Sequence, residues 1–287
     1  MNAPKDLLEL TKPRLSSLVL VTTAAGFWLG LRGGAGQLAR LAPVLIGTAL
    51  VVGGANALNE WMERELDARM QRTRMRPLPS GRVTPAAACG VGVGLTVAGL
   101  AFLTLAVNPL TAALAFASWA SYVLLYTPLK RITPHCTLVG AVPGALPPVI
   151  GWAGASGAVG SGAWALFGIL YLWQLPHFLA LAILYRDDYA QAGFRMLPLI
   201  ESGTAATARQ IMLYGLVLLP VSLVPSVLGL TGTWYFYGAF LLSALLLAAA
   251  ARAALLRTLP SARQLFRASV AYLPLLLALL AWDRTPL

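Results

Sequence analysis

Residues 41–82 read LAPVLIGTALVVGGANALNEWMERELDARMQRTRMRPLPSGR. An apolar run gives way to a segment that gathers charge of both signs. Four of the chain's ten acidic residues, Glu60, Glu63, Glu65 and Asp67, fall within eight positions. Six arginines, Arg64, Arg69, Arg72, Arg74, Arg76 and Arg82, interleave with them or follow. The run before them is long enough to cross a bilayer, since a spanning helix needs roughly 20 apolar residues.

The same pattern recurs along the chain. Of 287 residues, 58% are hydrophobic and 11% charged, against about 25% charged in a soluble domain, and the mean hydropathy is +0.74. Spanning helices are expected over about 15–34, 41–62, 86–106, 109–127, 137–154, 162–184, 208–229, 233–251 and 267–283, because lipid offers backbone groups no outside partner. The fifth carries Pro143, Pro147 and Pro148 and should be kinked or broken. The expected fold is an all-α polytopic membrane protein with about nine transmembrane helices in one bundle. Residues 1–287 are read as a single transmembrane domain. The opening MNAPKDLLELTKPRLSS lacks the early apolar core of a cleavable signal. Two cysteines, Cys89 and Cys136, are too few for a disulfide framework.

The net charge of +11 is not a nucleic-acid footprint, because eighteen of the 21 lysines and arginines fall in alternate loops on the side of the N-terminus. Only Arg32, Arg40 and Arg284 fall on the other. That bias places the N-terminus in the cytoplasm and the chain in the inner membrane. Two loops on the basic side stand out: 59–85, and 175–203, LPHFLALAILYRDDYAQAGFRMLPLIESG. Each follows a long apolar helix with carboxylates, arginine and a Pro/Gly stop, four spans apart. Two related four-helix units plus a terminal helix are expected.

Asn59, Glu63 and Asp67 are spaced i, i+4, i+8 and share one helix face. All three offer the oxygens that a hard cation such as Mg²⁺ takes, and Mg²⁺ typically uses one or two carboxylates and completes its shell with water and substrate phosphate. Glu60 and Glu65 point elsewhere on this reading. A solvated helix end with carboxylate–arginine pairs has the same spacing, but Arg72, Arg74 and Arg76 follow at once, and arginine grips phosphate oxygens. Arg186, Asp187 and Asp188 form a second, weaker cluster. Lys130 and Arg131 in YTPLKRITPH, like Lys12 and Arg14 in LTKPR, suit either a positive-inside anchor or a diphosphate clamp. Of the two histidines, His135 reads as structural, whereas His177 lies inside a span, where polar groups are costly and usually functional.

With these residues in view, the chain resembles the UbiA superfamily of intramembrane prenyltransferases. NEWMERELDARMQRTRMRP is similar to its first acidic motif, and YTPLKRIT to its Y-x3-K-R-x-T segment. GALPPVIGW, LPHF, RDDYAQAGFRMLP and LTKPR resemble the branch that farnesylates heme. The resemblance spans roughly 8–280. It implies transfer of farnesyl from farnesyl diphosphate to the 2-vinyl group of protoheme IX, with water addition, giving heme O and diphosphate. It implies Mg²⁺, or Mn²⁺ in its place, held by Asn59, Glu63, Asp67 and Asp188 as the catalytic set. Substrate contacts would come from Arg14, Arg72, Arg74, Arg76, Lys130, Arg131, His177, Tyr185, Arg186 and Asp187. The lipid bilayer would hold the prenyl tail. Heme A synthase or the terminal oxidase assembly would be partners. The family usually has Asp where this chain has Glu63 and Glu65, and relatives that prenylate aromatic acids carry D-x3-D where this chain has Leu184 and Asp188. Prenyl transfer to a quinone precursor or chlorophyll-like acceptor is the alternative within the family. A cation-coupled transporter using the same acids is the alternative outside it.

Overall fold

The computed structural model describes residues 3–32, 35–200 and 204–285. Among the described residues nine long helices run: α1 (Pro13–Gly30), α2 (Leu41–Asp67), α3 (Pro85–Ala106), α4 (Pro109–Leu129), α5 (Cys136–Ser156), α6 (Ser161–Leu184), α7 (Ala205–Val227), α8 (Thr233–Leu256) and α9 (Leu259–Trp282). The last eight are long and apolar enough to cross a membrane. The first is shorter and carries Arg14 and four hydroxyl residues, yet packs with the rest. Residues 33–34, the end of the first expected span, and 201–203, the end of the second charged loop, lie outside the described residues.

Most expected spans match within a few residues, and the exceptions have local causes. α2 runs on to Asp67, because its charges find partners inside the bundle. α9 begins at Leu259 rather than near 267, so Arg263 and Arg267 sit on its first turns. Thr258 and Ser261 form a capping box there with Pro260 just inside the start, and this combination initiates a helix whatever charges follow. α5 is two pieces, Cys136–Ala145 and Pro147–Ser156, broken where the prolines fall. α4 contains a π-helical stretch, Ser121–Tyr126, of the kind often found at functional sites.

Helices α2, α3 and α4 pack together, as do α6, α7, α8 and α9, while α1 and α5 run side by side and join the two groups. The terminal helix α9 is part of the second group, against α6 and α8, and reaches across to α1. Contact between α1 and α5 is backbone on backbone. A side chain at Gly26 would strike the carbonyl of Pro148, and one at Gly151 the carbonyl of Thr23. Without a hydrophobic drive between helices in lipid, such close approach is how small residues hold them. The second group has its largest apolar cluster around Trp152, Tyr235 and Tyr272. The Tyr272 hydroxyl is satisfied by Ser222 at 2.6 Å and Ser243 at 3.1 Å. At the end away from the charged loops, Trp28 donates to Ala281 O at 3.3 Å, and Arg284 lies over the Trp28 ring at 5.2 Å.

Gly26→Val and Gly151→Val should each lower the thermal midpoint of purified protein in detergent, since overpacking costs roughly 1–3 kcal/mol. Gly94→Ala, whose side chain would meet nothing within 4 Å, should leave the midpoint in place. Equal midpoints for all three would remove the α1–α5 contact from the fold's support.

Candidate active site

The charged ends of α2 and α4 meet the chain just before α1. Lys12 sits in the left-handed region at φ 49. Its ammonium donates to Asn59 Oδ1 at 3.1 Å and lies 3.7 Å from Glu60 Oε1. Asn59 donates its amide to Thr127 Oγ1 at 3.1 Å, and Thr127 donates on to Tyr122 O inside the π-helical stretch. Lys130, just past α4, grips both oxygens of Glu63 at 2.7 and 3.0 Å. Arg76 binds Asp67 Oδ2 at 2.7 Å and lies 3.8 Å from Glu60 Oε1. Its loop is fastened by Thr73, which donates to Asp67 O at 2.8 Å. One helix face thus carries an amide and three carboxylates, and three cations from three other segments close over it.

All four of these α2 side chains are buried: Asn59 2%, Glu60 2%, Glu63 5% and Asp67 1% exposed. The placement of Glu60 corrects the sequence reading, which sends it to another face. A helix turns about 100° per residue, so each four-residue step overshoots a full turn by about 40°. Two steps carry Asp67 about 80° from Asn59, and Glu60 stands at about 100°, beside Asp67. Following that drift along the helix would have found it. Lys12 is the second residue weighed in the sequence without being placed in the site, and Arg14 lies on the exposed outside instead. The left-handed turn at Lys12 ends where the helix carrying Arg14 begins, so the spacing of the two does not decide which enters the site.

The remaining candidates lie outside this cluster of buried ion pairs. Arg72 is exposed and lies over the Tyr185 ring at 5.2 Å. Arg74, Arg131, Arg186 and Asp187 are exposed and Asp188 is half-buried. Asp187 and Asp188 make no ion pair among the described residues. The two acidic clusters are linked through backbone instead, Arg195 N donating to Lys130 O at 2.7 Å, with Phe194 and Tyr126 flanking the Lys130 ammonium at 5.6 and 4.6 Å. His177 is on α6, facing α9: its Nδ1 is 2.8 Å from Ser269 Oγ, and its ring stacks on Trp173 and Phe266.

Electrostatics at this end are set by burial and by the close packing of opposite charges. Burial, helped by the nearby Arg76 charge, pushes Lys12 down to about 8, partly countered by Glu60 and Glu63. Burial also pulls on Lys130, but Glu63 and the hydrogen bonds to it win, and its pKa is raised. No group of three or more His, Cys, Asp or Glu side chains among the described residues converges tightly enough to hold a metal alone. Glu60 Oε2 nevertheless is buried with no hydrogen-bond partner. An orphaned carboxylate oxygen beside Asn59 and Asp67 fits a hard divalent cation whose other ligands come from a bound anion. Lys12, Arg76 and Lys130 are then free to turn from their carboxylates to that anion's oxygens.

Apolar helices that converge on such a cluster define a site for a substrate with a charged head and a lipid-soluble tail. The profile of the UbiA prenyltransferase family matches residues 19–279, and the chain belongs to that family. It is 48% identical over 288 residues to the protoheme IX farnesyltransferase of Solibacter usitatus (strain Ellin6076), covering 98% of this chain and 99% of that one. It is 44% identical over 290 residues to the protoheme IX farnesyltransferase of Koribacter versatilis (strain Ellin345), covering 98% and 94%. A solved structure of digeranylgeranylglyceryl phosphate synthase shares the fold with a TM-score of 0.83 at 17% identity, over 99% of each chain. So does a UbiA homologue from Archaeoglobus fulgidus bound to GPP and Mg²⁺, with a TM-score of 0.67 at 16% identity, over 96% of this chain and 99% of that one.

Glu60→Gln should lower the prenyl-transfer rate by about 10²-fold or more, whereas Glu65→Gln, on the exposed pair with Arg64, should leave it within about twofold. Steady-state rates in detergent decide this, and a silent Glu60→Gln would remove Glu60 from the site. Lys130→Met alone should destabilise the fold by about 3–5 kcal/mol by leaving Glu63 buried and unpaired. Adding Glu63→Gln should restore most of it. Equal melting of the single and double variants would mean that the pair is not coupled.

Proposed function

We propose that this protein transfers the farnesyl group of farnesyl diphosphate to the 2-vinyl group of protoheme IX, giving heme O and diphosphate. The observation that carries the reading is the buried cluster of Asn59, Glu60, Glu63 and Asp67 under Lys12, Arg76 and Lys130, in a chain about half identical to proteins named for that transfer.

Chemistry follows from the arrangement. The diphosphate binds at the basic end, where Lys12, Arg76 and Lys130 meet its oxygens, and the farnesyl tail lies among the helices. Arg72 and Arg74 meet the outer phosphate first, with Arg131, Arg186, Tyr185 and Asp187 around the mouth, while Arg14 stays on the outside. Asn59, Glu60, Glu63 and Asp67, with Asp188 approaching from the second loop, would hold Mg²⁺, or Mn²⁺ in its place. Such an ion, when bound, neutralises charge on the departing diphosphate. The cationic side chains stabilise the same developing charge, in a site where burial makes each interaction stronger than in water. The allylic C1–O bond breaks, and its electron pair leaves with the diphosphate. The terminal vinyl carbon of heme donates its π electrons to C1. Water adds to the resulting cation beside the macrocycle and loses a proton, leaving a hydroxyl. His177 would contact the heme as an axial ligand of its iron, a common role of imidazole. The excess of lysine and arginine at the active end supports a reading in which that end, with the N-terminus, faces the cytoplasm from the inner membrane. Heme A synthase or the terminal oxidase assembly, which consume the product, are the partners this reading implies.

Purified protein given farnesyl diphosphate, protoheme and Mg²⁺ should yield a heme whose mass has gained one farnesyl group and one hydroxyl. Excess chelator should stop the reaction, and added Mg²⁺ or Mn²⁺ should restore it. Prenylation of a quinone precursor with protoheme untouched would overturn the acceptor. Full turnover in chelator would overturn the metal's part.

A further inference from the structure

His177 is held more tightly than a histidine on a helix surface requires. Its ring lies between the indole of Trp173, at 5.2 Å and 25°, and the phenyl of Phe266, at 4.9 Å and 27°. Two near-parallel rings leave the imidazole little freedom about its last torsion. Its edge is fixed as well. Nδ1 lies 2.8 Å from Ser269 Oγ, and Ser269 is completely buried. The carbonyl of Ser269 is held in turn by Trp173 Nε1 at 2.8 Å, so the residues that stack the ring also anchor the serine.

The direction of the hydrogen bond depends on where the serine proton goes. A serine hydroxyl has one proton and two lone pairs. Ser269 is 2.7 Å from Phe266 O, a carbonyl that can only accept. With the hydroxyl proton directed there, Ser269 presents a lone pair to His177 and Nδ1 carries the imidazole proton. In the neutral ring the other nitrogen, Nε2, keeps its lone pair, and Nε2 has no hydrogen-bond partner among the described residues. The chain Nδ1–H to Oγ–H to C=O also polarises the ring and strengthens Nε2 as an electron donor.

We propose that Ser269 is the positioning residue that holds His177 in the Nδ1–H tautomer, so that Nε2 offers its lone pair to the iron of the heme acceptor. The inference rests on heme being that acceptor and on His177 facing it. Metal-binding histidines generally donate their second nitrogen to an oxygen that fixes tautomer and ring orientation. Here the oxygen belongs to a serine on the neighbouring helix, so α9 sets the chemistry of a side chain on α6. The aromatic faces of Trp173 and Phe266 add an apolar wall of the kind a macrocycle packs against.

The chain has only two histidines, which makes the test direct. Nitrogen-15 spectra of histidine-labelled protein, with His135→Gln removing the other signal, report the tautomer without any heme present. In the otherwise unsubstituted protein the lone pair should be on Nε2. Ser269→Ala should give a mixture of tautomers, and Ser269→Thr should restore the single form. A proton on Nε2 in the parent protein, or an unchanged tautomer in Ser269→Ala, overturns the proposal. Protoheme titration of the same proteins supplies the second arm. Ser269→Ala should weaken heme affinity about tenfold and shift the Soret band, Ser269→Thr should recover both, and His177→Ala should lose the axial signature altogether. If the tautomer behaves as expected but His177→Ala binds heme with the parent spectrum and affinity, the ligand role is overturned, while heme farnesylation, read by product mass, still stands. If no protein binds or prenylates heme, the acceptor reading fails and the ligand role falls with it.

Discussion

A carboxylate at the end of a membrane-buried helix is costly unless a cation is brought to it, and this chain brings three. Glu63 sits under Lys130, Asp67 under Arg76, and Glu60 between Arg76 and Lys12. Each cation arrives from a different segment: the turn before α1, the loop after α2, and the end of α4. The pairing therefore fixes where four parts of the chain go. Taking either member of such a pair away leaves an uncompensated buried charge, among the costliest single changes a protein core can suffer. The N-terminal helix Ala3–Leu10 is fastened to the same end by Arg82, which binds Asp6 and Glu9. That contact keeps Lys12 at the mouth of the site.

The pairing also suits exchange. Ions whose partners are other side chains can trade them for a ligand that carries both signs, at little net loss of electrostatic energy. A diphosphate with a divalent cation is such a ligand: the cation takes the carboxylates and the anion takes the lysines and arginine. Around this end the bundle is apolar, and a continuous core runs from Trp152 on α5 to Tyr272 in the second helix group. The division of the molecule into a charged mouth and an apolar interior matches a substrate with a charged head and a hydrocarbon tail. The His177–Ser269 pair between α6 and α9 is a separate polar feature within the second group.

Much of the fold was legible in the sequence, because length and hydropathy decide what can cross a membrane. Eight of the nine expected spans are long apolar helices, and the break in α5 falls among the prolines that announced it. α9 starts eight residues before the expected 267, because the local cap formed by Thr258 and Ser261 sets its first residue. In the site, Asn59, Glu63 and Asp67 could be seen because i+4 spacing is easy to recognise. Glu60 was hidden because that spacing drifts by about 40° per step. Which of many arginines enters the cluster could not be read at all. Arg76 does and Arg74 does not, since the turn fastened by Thr73 decides it, and only the folded loop shows that turn. His177 was legible as an intramembrane polar residue, but its partner Ser269 is 92 positions away and carries no sequence mark.

The central claim is that the buried salt bridges at the end of α2 are a receptor for a diphosphate and its cation together. Calorimetric titration of purified protein with inorganic diphosphate, with and without Mg²⁺, tests it most directly. Binding should be strong only when both are present, and should fall at least about tenfold in the Glu60→Gln protein. Diphosphate binding that is equally strong without a divalent cation, and unchanged by Glu60→Gln, would contradict it.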